Sequence, residues 1–171
     1  MGHLLVQIIV SDTSCIIDLK EGAILASLFG LPYHFVIPEE LFDSELLSFT
    51  EDEKRLLIAL GLETRDLDSN QMQLAYDHRQ AKPALTVRDC YALALAETTE
   101  EAILLTGDRN LRQRSKLLNI EARGVIWALD RLLEHNCCTE QQALKALIEW
   151  KTNPAVFLPE TELDMRIRKL K

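Results

Sequence analysis

Nowhere in its 171 residues does the sequence hold an apolar run approaching the roughly 20 residues that a bilayer-crossing helix needs. The opening stretch, MGHLLVQIIVSD, lacks a basic segment and soon reaches Asp12, which is the pattern of a buried strand over Leu4 to Val10 and not of a leader peptide. A cytoplasmic protein with no membrane partner is expected. Positive charge is also scarce. With 19 Lys and Arg against 27 Asp and Glu, the formal net charge is −8, which excludes binding polyanions over a broad surface, because phosphate contacts need basic side chains that release counterions. Any contact with nucleic acid has to be local or supplied by a metal. The 4 cysteines, Cys15, Cys90, Cys137 and Cys138, contain no CxxC pair, and two of them are adjacent where metal-binding thiolates are normally spaced. They are expected as free thiols packed as small apolar groups in a reducing compartment. Internal repeats and low-complexity segments are missing too.

What is present suits one substantial core, since 47% of the residues are hydrophobic. Strand-like runs alternate with segments of helical period: LLVQIIV, a helix through EGAILASLFG, YHFVI, the helices ELFDSELLSF and TEDEKRLLIALG, and a short strand near Leu62 to Leu67. There follow the helices NQMQLAYDHRQAK and TVRDCYALALAETT, the strand AILLTGD, the basic helix NLRQRSKLLN and a strand IEARGVIW. That order predicts an α/β fold with a largely parallel sheet covered on both faces. Three helix starts carry a reciprocal capping pattern: Thr50 with Glu53, Thr86 with Asp89, and Thr139 with Gln142. After Leu129 come two helices, ALDRLLEHN and TEQQALKALIEWK, and a polar tail, PETELDMRIRKLK. Leu144, Leu147, Ile148 and Trp150 form a partly apolar face there, suited to packing back on the domain or to an oligomer surface.

Ligands of an open parallel sheet bind outside the carboxyl ends of the strands. Two acids directly follow buried strands, Asp12 after Val10 and Asp108 after Leu105. Asp12 has apolar neighbours on both sides and either closes a turn on its own backbone or meets a cation. Asp108 stands where a helix N-cap belongs. Glu45 falls at helical spacing among Leu41, Phe42 and Phe49, so a carboxylate is expected inside an apolar stripe unless it reaches water or an arginine. Asp89 opens a helix that is apolar nearly all round from Cys90 to Ala96, and it competes for a capping role with Thr86. Four such acids in one crevice would repel one another without a cation between them, and their hard oxygens suit Mg²⁺ or Mn²⁺.

These segments resemble the PIN-domain family, most closely its small prokaryotic VapC-type branch. IIVSDTS resembles the family's strand, Asp and following hydroxyl, placing them at Asp12 and Ser14. VIPEELFDSEL resembles the second strand, proline and helix with a Glu seven residues on, which is Glu45. LTVRDCYALALAE resembles the helix opened by the third acid, Asp89, and ILLTGDRNLR the strand ending in Thr-x-Asp, with Thr106 and Asp108. The ordered match spans about residues 6–127. Where the family often has a further acid, this chain has Leu93 and Asn110. The resemblance implies a three-layer α/β/α sandwich, with a nuclease domain over residues 1–130 and a C-terminal helical extension over 131–171 packed on or beside it.

It further implies a metal-dependent ribonuclease in which Asp12, Glu45, Asp89 and Asp108 are the catalytic and metal-holding residues, with Mg²⁺ or Mn²⁺ as cofactor. Ser14 and Thr106 would support them by bonding a ligand carboxylate. On the helix after Asp108, Arg109 and Arg112 would bind substrate, with Arg114 and Lys116 adding local positive potential. RNA as substrate, an antitoxin protein and a homodimer are the partners a VapC-type toxin implies. The alternative is a PIN-like scaffold that binds protein or nucleic acid without cutting. A phosphotransferase with Asp12 as covalent nucleophile would need a second acid two residues on, where Ser14 stands.

Overall fold

The computed structural model describes residues 5–171. The first apolar run forms β1 (Ile8–Ser11), which is shorter than expected: Leu5 and Val6 are exposed, and Leu4 lies outside the described residues. The physical reason is pairing, since the ladder with the next strand begins only at Ile8. The chain continues through α1 (Thr13–Glu21), a 3-10 turn (Ala26–Gly30), β2 (His34–Pro38), α2 (Glu39–Ser44), α3 (Glu51–Leu60), β3 (Glu63–Arg65) and α4 (Ser69–Ala81). Then come α5 (Val87–Glu97), β4 (Ile103–Leu105), α6 (Arg109–Leu117), β5 (Glu121–Arg123), α7 (Val125–Glu134), α8 (Glu140–Thr152) and α9 (Glu160–Leu170).

The strands form one parallel five-stranded sheet in the order β3-β2-β1-β4-β5. Successive strands step outward in one direction from β1 to β3 and in the other from β4 to β5. Because parallel crossovers are right-handed, the connections of these two halves cover opposite faces. α5 packs on β1, β2 and β4 together with α4 and α6, while α1 packs with α7 and α8. The result is an α/β/α sandwich. Ile9, Val10, Val36, Ile37, Leu104 and Leu105 are all buried, as the continuous apolar runs of a doubly covered sheet require. All three reciprocal caps read from the sequence are formed, at Thr50, Thr86 and Thr139. Among the described residues, no helix is long and apolar enough to cross a membrane.

Several boundaries differ from the sequence-based expectation. The helix expected through EGAILASLFG is interrupted: α1 starts directly after Asp12 and ends at Glu21, with Ala23 at a φ of 57° before the 3-10 turn. ELFDSELLSF is not one helix, because α2 stops at Ser44 and the chain turns so that both Leu46 and Phe49 sink into the core while Leu47 faces solvent. The strand IEARGVIW ends at Arg123, and Val125 to Trp127 are the first turn of α7, in which Val125 is buried. The polar tail is helical as α9, whose Leu163 and Ile167 are buried and whose Arg166 forms a paired bond to Asp130 of α7 at 2.7 and 2.9 Å.

α8 lies in the same core as the sheet. Trp150, 1% exposed, donates its indole N–H to the Asp18 carbonyl of α1 at 2.6 Å. The two helices approach so closely that a Cβ at Gly22 would stand 3.0 Å from that indole nitrogen. Leu147 is buried with Trp150 against the domain, whereas Ile148 remains exposed.

Candidate active site

Strand order reverses between β1 and β4, and in open parallel sheets the crevice at such a switch point, beyond the carboxyl ends of the strands, is where ligands bind. Asp12 leaves β1 there, and the Thr106–Gly107–Asp108 loop leaves β4 beside it. The Asp12 N–H donates to the Leu105 carbonyl at 3.0 Å, so the ladder holds the two together.

Asp12 caps α1 and is 5% exposed. Its Oδ1 accepts the Ser14 N–H at 2.9 Å and the Ser14 hydroxyl at 2.6 Å, and its Oδ2 accepts the hydroxyl of Thr106. Both hydroxyls are themselves fixed by the neighbouring loop: Ser14 Oγ accepts the Gly107 N–H at 3.0 Å and Thr106 Oγ1 the Asp108 N–H at 3.1 Å. Burial pushes the Asp12 carboxyl up to about 6; the Ser14 and Thr106 bonds pull against this, and the charge of Asp89 adds to the rise. Asp89 therefore stands within electrostatic range of Asp12. Six residues further along, in α1, Asp18 is also raised to about 6, by burial first and then by the charges of Asp12 and Glu21.

The other acids arrive from separate elements. Asp89 Oδ2 accepts the Thr86 N–H at 2.8 Å in its capping box, and Oδ1 makes no hydrogen bond among the described residues. Glu45 is not in a buried helical stripe: it follows the last residue of α2, is half-buried, and its Oε2 accepts the Thr13 hydroxyl at 2.8 Å. Thr13 follows Asp12 directly, so this bond carries Glu45 to the same crevice. Asp108 caps α6 by accepting the Leu111 N–H at 2.7 Å through Oδ1, and it joins Asp12 through Thr106. Leu93 is fully buried in α5.

Of the basic residues after Asp108, Arg109 is exposed and without an ion pair among the described residues. Arg112 turns back, donating from Nε to the Thr106 carbonyl at 3.1 Å, and its guanidinium fills the space where a side chain at Gly124 would be. Arg114 lies against buried His78, whose other ring nitrogen meets Glu97 at 2.6 Å. Lys116 is exposed. Among the described residues, the basic side chain within 4 Å of one of the four acids is instead Arg88, with its Nε 3.8 Å from Glu45 Oε1 and its Nη2 3.9 Å from Glu40 Oε1. Sequence reasoning passed over Arg88 and Thr13. The signal for Arg88 was a positive charge in the first turn of a helix, where the backbone dipole disfavours it.

All four candidate acids offer hard oxygens, and a buried carboxylate repelled by a second one is a donor set whose chemistry fits a divalent cation. Among the described residues, however, no three His, Cys, Asp or Glu side chains stand close enough together to hold a metal ion. The cysteines take no part: Cys15 and Cys90 are buried with thiols pushed up by burial, and Cys137 and Cys138 are half-buried free thiols.

A five-stranded parallel sheet covered by helices on both faces, with Asp12 and Asp108 at the strand ends of its switch point, defines the broad class, an α/β/α sandwich. The particular family follows from comparison: a family model described as a PIN domain matches residues 8–171, and the chain belongs to the PIN-domain family. Searches of curated proteins and of solved structures returned no match. PIN domains are in general nucleases, which are hydrolases, and they usually use divalent metals.

Proposed function

We propose that this chain is a divalent-metal-dependent ribonuclease, with Asp12, Glu45, Asp89 and Asp108 as its catalytic carboxylates and Mg²⁺ or Mn²⁺ as its ion. The observation that carries the proposal is Asp12, a buried carboxylate at the switch point whose ionisation is opposed both by burial and by Asp89. Folding such a group into a crevice costs free energy that a bound cation would return, and costly titratable groups of this kind mark functional sites. Asp12, Glu45, Asp89 and Asp108 are the residues that would hold a divalent ion, directly or through water, and the ion would supply positive charge against the negative charge that develops on the phosphorus oxygens. Ser14 and Thr106 donate to Asp12 while accepting backbone N–H groups, so the carboxylate is held in one orientation. Asp89 keeps Oδ1 available, and Arg109 is left to meet a phosphate, whereas Arg112 is already committed to the Thr106 carbonyl.

RNA as substrate, a VapC-type toxin role, an antitoxin partner, a homodimer and a cytoplasmic location rest on the sequence resemblance and belong to the same proposal. The experiment is cleavage of single-stranded RNA with Mn²⁺, comparing wild type with Asp12→Asn and Asp89→Asn. Equal cutting by all three would assign the activity to a contaminant and end the proposal.

A second reading, a scaffold that binds without cutting, has one specific observation in its favour. Each acid already serves the protein as a cap or a hydroxyl partner, and no three of them close on a metal. Calorimetry separates the two readings: the nuclease gives Mn²⁺ binding heat that Asp12→Asn removes, and the scaffold gives none.

A further inference from the structure

We infer that Arg88 grips a substrate phosphate beside the acidic crevice, in the cavity between α2 and the start of α5. This inference rests on the nuclease reading and names a binding residue that the family's acidic motifs leave out. The cavity has a volume of about 490 Å³, with Glu45 and Asp89 among its walls and Leu47, Val87 and Tyr91 as apolar lining. Among the described residues, Arg88 is the one basic side chain lining it.

Arg88 stands at the cavity and is held only loosely. Its distances of 3.8 Å to Glu45 and 3.9 Å to Glu40 lie beyond hydrogen-bond length, and it makes no hydrogen bond among the described residues. The arginines with structural duties look different. Arg166 forks onto Asp130 at 2.7 and 2.9 Å, and Arg112 bonds the Thr106 carbonyl at 3.1 Å. Arg88 is also 45% exposed, so its guanidinium retains donors for a ligand. A phosphodiester offers the paired oxygens that a guanidinium matches best, and a bond to phosphate is charge-assisted on both sides. In a chain of net charge −8, one arginine beside the carboxylates supplies the local attraction that the surface as a whole withholds. Loose pairing to Glu45 and Glu40 keeps the guanidinium at the mouth until the phosphate replaces them.

The test measures binding rather than turnover, by fluorescence anisotropy of fluorescein-labelled single-stranded RNA with Ca²⁺ in place of Mg²⁺. Arg88→Ala is expected to weaken binding about 10-fold. It should also reduce the slope of log affinity against log salt by about 0.7, the loss of one single-strand phosphate contact. Arg88→Lys should keep the salt slope while losing part of the affinity, because the charge remains and the fork does not. Thermal midpoints of both variants should match wild type, since no hydrogen bond is removed. Wild-type affinity and slope in Arg88→Ala would overturn the assignment and leave the nuclease reading intact. Failure of wild type to bind the RNA at all would overturn both.

Discussion

Replacing Asp12 by Asn should make the protein more stable near neutral pH while abolishing the metal-dependent cleavage proposed for it. Burial holds the Asp12 carboxyl at about 6, against 3.8 for the ordinary group, so the folded chain binds a proton more readily than the unfolded chain. Stability from this group is therefore full below 3.8 and is lost as pH rises through about 6. That difference corresponds to about 3 kcal/mol at neutral pH. Asparagine carries no charge, serves equally well as an N-cap, and its carbonyl oxygen can accept both Ser14 bonds. Its amide nitrogen would face the Thr106 hydroxyl, which already accepts the Asp108 N–H and would lose the acceptor for its own proton, at a cost of about 1 kcal/mol. The net expectation is a gain of about 2 kcal/mol near neutral pH that disappears in acid, below the ordinary carboxyl range. Urea denaturation of both chains at neutral and acidic pH measures it. Asp18, raised in the same direction, is present in both chains and largely cancels in the difference. A variant less stable than wild type at neutral pH, or a difference unchanged by pH, would refute the reasoning. Added Mn²⁺ should raise the thermal midpoint of wild type and not of the variant.

Thr106→Val removes the hydroxyl that donates to Asp12 and accepts from Asp108; thermal denaturation should show a loss of about 2 kcal/mol, with the Asp12 pH transition moved upward. In Gly124→Ala the new Cβ would stand 2.0 Å from Arg112 Nη2 and push the guanidinium off the Thr106 carbonyl. That should cost about 1 kcal/mol in wild type and nearly nothing in Arg112→Ala, a coupling that a double-mutant cycle reads directly. Trp150→Phe keeps most of the buried ring but drops the bond to the Asp18 carbonyl, so a loss of about 1 to 2 kcal/mol is expected in urea, and an unchanged midpoint would show that the α1–α8 contact does not depend on it.

The resemblance to PIN domains was legible from residues that act locally. An acid placed just after an apolar strand is aimed at the strand ends whatever else the chain does, so Asp12 and Asp108 could be singled out by order alone. Asp89 was equally visible as a capping partner of Thr86. The Glu45 environment was not. Its helical spacing promised a buried stripe, but the helix stops one residue earlier because Leu46 and Phe49 are both claimed by the core, and the carboxylate bonds Thr13 from another element.

By itself the sequence determined the alternation of strands and helices, the parallel sheet they build and the three reciprocal caps, because burial period and capping bonds act within a few residues of one another. Only the tertiary structure decided which side chains share the crevice. The Thr106 hydroxyl reaches Asp12 across 94 residues, Arg112 turns inward to the Thr106 carbonyl while Arg88 is left beside Glu45, and a polar tail with only two buried residues becomes a docked helix. Those outcomes depend on how crossovers stack around the sheet, and side-chain pairing at such distances leaves no periodic mark in the chain.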